Sequence, residues 1–334
     1  MGSIGHDVPS LDFSLFTHGT SAQQTEFCAT LKDVLSRLGF IKLKNHIIPK
    51  QTMYEAFEWS KRFFSMPLED KMKAAHPPRP NPHRGYSYVG QEKLSRVKDF
   101  EKGIMTDEEK RDIKESYDQG SQYDELYPNI WPDEKDIPSF QKFMTDLYER
   151  CHEMHMVLLE AIALAFAFPR PFFRQLCETN TSELRMNHYP AIQRSQLAQG
   201  TRRISEHTDF GTVTLLFQDM IGGLEIERQD GPGEYMPVEA NDPTEMIVNV
   251  GDCLQRWTND QLRSACHRVT APCSGPDDPE SVIEDRYSIA YFGKPNRDVS
   301  VATMPEFVKS GCLPKYVKPM TAWEYNQSKL LRTY

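Results

Sequence analysis

The chain has 334 residues, of which 39% are hydrophobic and 11% aromatic, and its formal net charge is −9. That length suits one large domain or two smaller ones, and the apolar share is enough for a sizeable core, which excludes a disordered scaffold. The acidic balance has no long Lys or Arg run, which argues against nucleic acid as a partner, and no stretch approaches the roughly 20 apolar residues that span a bilayer.

Residues 7–16, beginning Asp7-Val8-Pro9-Ser10-Leu11-Asp12-Phe13, read as a short strand. Phe27, Leu31, Val34, Leu35 and Leu38 recur at helical spacing, which predicts a helix over Thr25–Leu38 stopped by Gly39. Phe40–Lys44 then reads as a strand, Pro49 opens a second helix through Phe63-Phe64, and a third short helix follows Pro67. From about Ala74 to Pro132 prolines cluster and charges are dense, so long loops are expected, with a strand near Lys98–Met105. Ile137–Phe168 is the clearest helical stretch, in one piece or two, ended by Pro169. Its longest apolar run is interrupted by Glu160, as in a core helix and unlike a membrane span.

Beyond Glu183 short β-prone runs recur at Leu184–Tyr189, Val213–Phe217, Gly223–Ile226, Tyr235–Val238, Met246–Val250 and Tyr287–Phe292. Turn residues punctuate them, which argues for a sandwich or barrel. Helices first and strands second make an α+β pattern. The seven cysteines are scattered, with no C-x-x-C pair, so neither a disulfide framework nor a zinc ribbon is indicated. With no signal-peptide, myristoylation or peroxisomal pattern at either end, a reducing, cytoplasmic setting is expected.

The chemistry concentrates in the strand-rich half. In His207-Thr208-Asp209, positions i and i+2 of a strand would send an imidazole and a carboxylate into one cavity. His267, well downstream, would complete a two-His, one-carboxylate face, the arrangement of non-haem Fe(II) oxygenases. Arg286 and Ser288 share the same spacing, and a guanidinium fork beside a hydroxyl can clamp a carboxylate. Arg185, Asn187 and Tyr189 would likewise share a face. The bland alternatives go to other residues. His152 and His155 lie three apart, not at the i,i+4 spacing of H-E-x-x-H, and read as packed or surface histidines. His46, His188 and Phe63-Phe64 read as structural.

With these motifs stand Leu38-Gly39-Phe40, Asn45-His46, Pro49, Arg84-Gly85-Tyr86, Asn187-His188-Tyr189-Pro190, Gly222-Gly223-Leu224, Val248–Asp252, His267-Arg268-Val269 and Arg286–Phe292. In that order they resemble the Fe(II)/2-oxoglutarate-dependent oxygenases of the isopenicillin N synthase-like superfamily, and the segment around Lys114–Asp118 and Asn129-Ile130-Trp131-Pro132 is similar to its fungal biosynthetic members. The resemblance implies a distorted double-stranded β-helix, a jelly-roll core with flanking helices. It implies an N-terminal non-haem dioxygenase region at 7–132, and the long helix and jelly-roll core at 133–334, as one compact unit. It implies Fe(II) on His207, Asp209 and His267, and O₂ as oxidant. It further implies 2-oxoglutarate held by Arg286 and Ser288, with Asn187 and Tyr189 also touching it. Arg84 and Arg185 are expected substrate contacts, and a cavity wall is expected from Phe307–Tyr316. Ile47 and Asp260 stand where the family usually has Gly.

The reaction so implied oxidises a small natural product by hydroxylation, desaturation or ring rearrangement, with release of succinate and CO₂, in secondary-metabolite biosynthesis. Neither a membrane nor an obligate protein partner is indicated. A phenolic or polyketide-derived ring is one expected substrate. Two other readings remain open at this point: an isopenicillin N synthase-like oxidase that does not use 2-oxoglutarate, and a non-catalytic small-molecule receptor on the same fold.

Overall fold

A computed structural model describes residues 7–77, 82–91, 112–198, 202–272 and 278–331. The strand expected near Lys98–Met105 lies outside the described residues. The N-terminal part holds β1 (Ser10–Asp12), α1 (Ser14–Thr17), α2 (Ser21–Arg37), β2 (Phe40–Lys44), α3 (Lys50–Phe64), α4 (Leu68–Met72), β3 (Gly85–Ser87) and β4 (Glu115–Gly120). The long helix α5 (Phe140–Ala165) and the short α6 (Pro171–Arg174) lead to β5 (Glu183–Tyr189), β6 (Ile192–Gln193), α7 (Arg194–Ala198), β7 (Ile204–His207) and β8 (Val213–Gln218). Then come β9 (Leu224–Glu227), β10 (Tyr235–Pro237), β11 (Met246–Val250), α8 (Asp252–Trp257), β12 (His267–Val269), β13 (Val282–Ile283), β14 (Arg286–Phe292) and α9 (Ala322–Leu330).

Local chemistry accounts for several boundaries. Helix α2 begins a turn before the apolar period does, because Thr20 and Gln23 form a reciprocal capping box. Thr321 and Glu324 do the same for α9. Helix α5 is one continuous piece of 26 residues. Both Asn259 and Asp260 take positive φ, 53° and 63°, so Asp260 occupies a left-handed position that a glycine would enter without strain.

An eight-stranded sheet, in the order β1-β2-β11-β8-β14-β5-β4-β3, faces a four-stranded sheet, β10-β9-β12-β7. Alternation along the large sheet sorts its side chains into two layers. Leu184, Met186, Leu215, Phe217, Val248, Ile289 and Tyr291 pack with α2, α3 and α5 in the main core. The opposite face sends Tyr189, Leu216 and Ile247 against Ile204, Leu224, Ile226 and Val269 of the small sheet. The fold is a jelly roll with flanking helices, and the inter-sheet space is where the polar motifs converge.

Strands β3 and β4 fall where long loops were expected. All six residues of β4, Glu-Ser-Tyr-Asp-Gln-Gly, are buried although one alone is apolar. Their burial rests on partners: Glu115 with Lys71, Tyr86 and His188, Asp118 with Arg185, and Gln119 with the Met144 carbonyl. A strand stabilised by paired polar groups carries no hydrophobic alternation to detect. No helix among the described residues is long and apolar enough to cross a membrane.

Candidate active site

β7 ends in His207 and β12 begins with His267, and the register pairs these two residues directly across the strands. Their rings lie 4.3 Å apart between centroids. Asp209 was expected on the same strand face as His207, but β7 stops at His207 and Asp209 lies beyond it. Hydrogen bonds aim it instead. Its Oδ2 accepts from Thr214 Oγ1 at 2.6 Å and from Asn249 Nδ2 at 2.7 Å, while Oδ1 sits 3.8 Å from the Nε2 of each histidine. Thr214 and Asn249 are neighbours on β8 and β11, paired in register, so the large sheet forms the floor of the site.

The other ring nitrogens are also engaged. His207 Nδ1 is 2.8 Å from the Ser205 carbonyl and His267 Nδ1 is 3.1 Å from that of Ala265. A carbonyl accepts only, so each Nδ1 carries the proton and each Nε2 keeps its lone pair toward Asp209. Burial, with His267 beside it, lowers His207 to about 4, so its ring is neutral near pH 7. Burial opposes ionisation of Asp209, yet the two imidazoles and the bonds from Thr214 and Asn249 hold it below its ordinary value. Two imidazoles and one carboxylate, with ligand atoms all within 4.8 Å of one another, fit a divalent transition metal with open positions. Among the described residues no other such group occurs.

The pairing of β14 with β5 sets Arg286 opposite Tyr189 and Ser288 opposite Asn187, all four buried between the sheets. Arg286 donates through Nε to the Gly222 carbonyl at 2.9 Å and through Nη2 to Gln218 Oε1 at 2.7 Å. Its Nη1 has no protein partner, and neither has Asn187 Oδ1. Asn187 Nδ2 donates to Ser288 Oγ at 3.3 Å, and the Tyr189 hydroxyl lies 3.4 Å from the same oxygen. Buried donors without acceptors are costly, so an orphaned guanidinium N–H beside two hydroxyls and an amide marks a place for an anionic group. The Gly222 carbonyl reaches Arg286 from a turn in which Gly222 and Gly223 both take positive φ, 83° and 91°.

Sequence reasoning missed four supports: Gln218, Thr214, Asn249 and Arg203. Arg203 is fully buried, spends Nη2 on the Glu284 carbonyl at 2.7 Å, and leaves Nε and Nη1 without partners. Burial, with Arg286 nearby, lowers it to about 10. Thr214 and Asn249 meet Asp209 through the direct pairing of β8 with β11, a long-range register that residue spacing does not show.

A cavity of about 550 Å³, its open mouth included, lies beside His207 and Asp209. Arg185, Glu183, Phe292, Lys294, Asn326 and Leu330 are among its walls. Arg185 thus reaches the cavity while its guanidinium pairs with Asp118, Nε to Oδ1 at 2.6 Å. The expectation for Arg84 does not fit its surroundings. Its guanidinium is spent on Asp124 at 3.0 Å, on Glu183 at 3.4 Å and on the carbonyls of His83 and Tyr127, so it cross-links the protein. The expected wall from Phe307–Tyr316 is replaced by α9, through Asn326 and Leu330, because Phe307 packs into the aromatic core against Phe166 and Phe168. His155 and His188 are structural as expected. His155 bonds Thr212, and His188 lies between Glu115 and Asp285 on the far face of the sheet.

Residues 8–134 match the family described as non-haem dioxygenase in morphine synthesis N-terminal, and residues 180–295 match the 2OG-Fe(II) oxygenase superfamily. A 2-oxoglutarate-Fe(II) type oxidoreductase, ppzD of Metarhizium rileyi, is 56% identical over 98% of this chain and 91% of its own length. The proline hydroxylase buaE of Petromyces alliaceus is 55% identical over 98% of this chain and all of its own. Among solved structures, a full-length Neurospora crassa protein in complex with alpha-KG superposes with a TM-score of 0.85 at 32% identity, covering 97% of this chain and 96% of that one.

Proposed function

The chain belongs to the 2OG-Fe(II) oxygenase superfamily, and from that premise we propose that His207, Asp209 and His267 hold Fe(II) while Arg286 and Ser288 bind the distal carboxylate of 2-oxoglutarate. The chain is a 2-oxoglutarate-dependent dioxygenase that oxidises a small natural product in secondary metabolism. The observation that carries the residue assignment is the convergence of two imidazole Nε2 atoms on Asp209 Oδ1, with the remaining side-chain polar atoms of the triad bonded to protein.

When bound, iron with O₂ and the keto acid supplies the oxidising power, giving succinate, CO₂ and an oxidised substrate. What remains falls to the chain's own side chains. The carbonyls of Ser205 and Ala265 fix the imidazole tautomers, and Thr214 and Asn249 fix the carboxylate, so the ligand atoms are preorganised. Arg286 Nη1 and the Ser288 hydroxyl receive the far carboxylate, with Asn187 and Tyr189 beside them. Burial of all four excludes water and strengthens the charge pairing. Arg185, already in the cavity wall, is a proposed substrate contact.

We also propose that residues 7–132 and 133–334 form one catalytic unit, because β1 to β4 are built into the same sheet as β5, β8, β11 and β14. A reducing, cytoplasmic setting is supported by the six described cysteines, all unbridged. For the substrate, the name of the Petromyces alliaceus relative and the charged cavity favour an amino-acid-like molecule over a phenolic ring. Oxygen uptake and succinate release, measured with and without 2-oxoglutarate, test the reading. Turnover should require the keto acid and vanish in Asp209→Ala. Unchanged turnover without it would favour the isopenicillin N synthase-like oxidase, and ligand binding with no turnover would favour the receptor.

A further inference from the structure

The inward stripe of β14 does not stop at Ser288. In steps of two it runs on through Ala290 and Phe292, and the next step reaches Lys294, two residues past the strand. Opposite it, β5 runs from Asn187 through Arg185 to Glu183, with Ala290 facing Arg185 and Phe292 facing Glu183. Arg286 and Ser288 occupy one end of this stripe. Phe292, Lys294 and Glu183 occupy the other, where the cavity beside His207 and Asp209 opens.

Lys294 is 9% exposed, and its Nζ lies 2.7 Å from Glu183 Oε2, its one side-chain partner among the described residues. An ammonium has three donors, so two are unspent. Glu183 does not belong to Lys294 alone, because Arg84 Nη1 at 3.4 Å and His83 Nδ1 at 3.7 Å share its oxygens. A buried, incompletely paired cation is costly unless something else meets it. Among the nearby walls Phe210, Phe292 and Leu330 are apolar, and the buried Oδ1 of Asn326 on the same cavity makes no hydrogen bond to Lys294.

We propose that Lys294 binds the carboxylate of the substrate, which makes the substrate class a small carboxylic acid with an apolar body, an amino acid being the fitting case. The inference rests on the oxygenase reading above, which puts the reactive centre at the His207 and Asp209 side of the same cavity. A lysine that served only as counter-ion to Glu183 would leave the site indifferent to the charge of the ligand.

The test is anaerobic calorimetric titration of the full chain, loaded with Fe(II) and 2-oxoglutarate, using the common amino acids and the amide of each. At least one acid should bind, and its amide should bind about 10- to 100-fold more weakly, the range for one charged hydrogen bond. Lys294→Met should weaken that acid by a similar factor with 2-oxoglutarate affinity unchanged, and Lys294→Arg should retain most of it. Equal binding of acid and amide, binding of no acid, or wild-type acid affinity in Lys294→Met would each overturn the proposal. The acid–amide comparison needs no variant, so it holds even if Lys294→Met does not fold. Absence of succinate in air would count against the oxygenase reading, while the acid–amide difference in binding would still report on Lys294.

Discussion

At the scale of single residues the site is built from donors whose other atoms are already committed. Arg286 shows the principle: Nε and Nη2 are tied to Gly222 and Gln218, which leaves Nη1 for a ligand in a fixed direction. Arg286→Ala should raise the KM for 2-oxoglutarate by about 10- to 100-fold, because it removes a desolvated charge pair. Arg286→Lys should fall between, since a point charge cannot both hold Gln218 and fork to a carboxylate. Steady-state succinate formation against keto-acid concentration measures both, and an unchanged KM in Arg286→Ala would remove the residue from the co-substrate site. The Arg286/Ser288 pair was legible in the sequence because a step of two on a strand is a local rule. Gln218 was not, because its role comes from lying opposite Ser288 on the neighbouring strand.

At the scale of elements, helix α5 reaches the site through His155. Thr212 donates its hydroxyl to the Gly293 carbonyl, so the His155 Nε2–H must donate to Thr212, three residues beyond Asp209. That leaves Nδ1 buried and without a partner. A β-carbon on Gly293 would sit 2.5 Å from His155 Nε2, so the loop after β14 closes on the ring directly. Burial, with His152 adding to it, lowers His155 from 6.5 to about 3. Between those values the unfolded chain binds a proton that the folded chain refuses, so stability rises with pH across the window. The contribution is complete above about 6.5 and is lost as pH falls toward about 3. Chemical denaturation at about pH 5 and about pH 7.5 should show a smaller difference for His155→Gln than for the wild type. Equal differences would mean that His155 is not the buried neutral group described. β4 makes the complementary point. Six buried residues held by Lys71, Arg185, His188 and a helix carbonyl form a strand flanked on both sides, by β5 and β3, that apolar periodicity cannot reveal.

At the scale of the whole molecule, the large sheet interleaves the two sequence regions. Its order places β1 and β2 beside β11, and β3 and β4 beside β5, so four of eight strands come from before residue 132. The main core likewise mixes Phe13, Leu31 and Phe63 with Leu159, Leu215 and Ile289. Residues 133–334 expressed alone should therefore expose two unpaired sheet edges and part of that core. The expected outcome is aggregation, or no cooperative unfolding transition by circular dichroism. A monomeric fragment with a sharp transition would show that the N-terminal region is a separate domain. By itself the sequence determined the fold class and named His207, Asp209 and His267 as a candidate metal set and Arg286 with Ser288 as a candidate clamp, because ligand chemistry, and for Arg286 and Ser288 strand alternation, is local and survives without coordinates. The tertiary structure alone decided what surrounds them. It committed Arg84 to Asp124 and Glu183, brought α9 to the cavity wall, aimed Asp209 through Thr214 and Asn249, and set Lys294 at the far end of the stripe. These follow from long-range register and from the need of buried polar groups to find partners, which residue spacing does not encode.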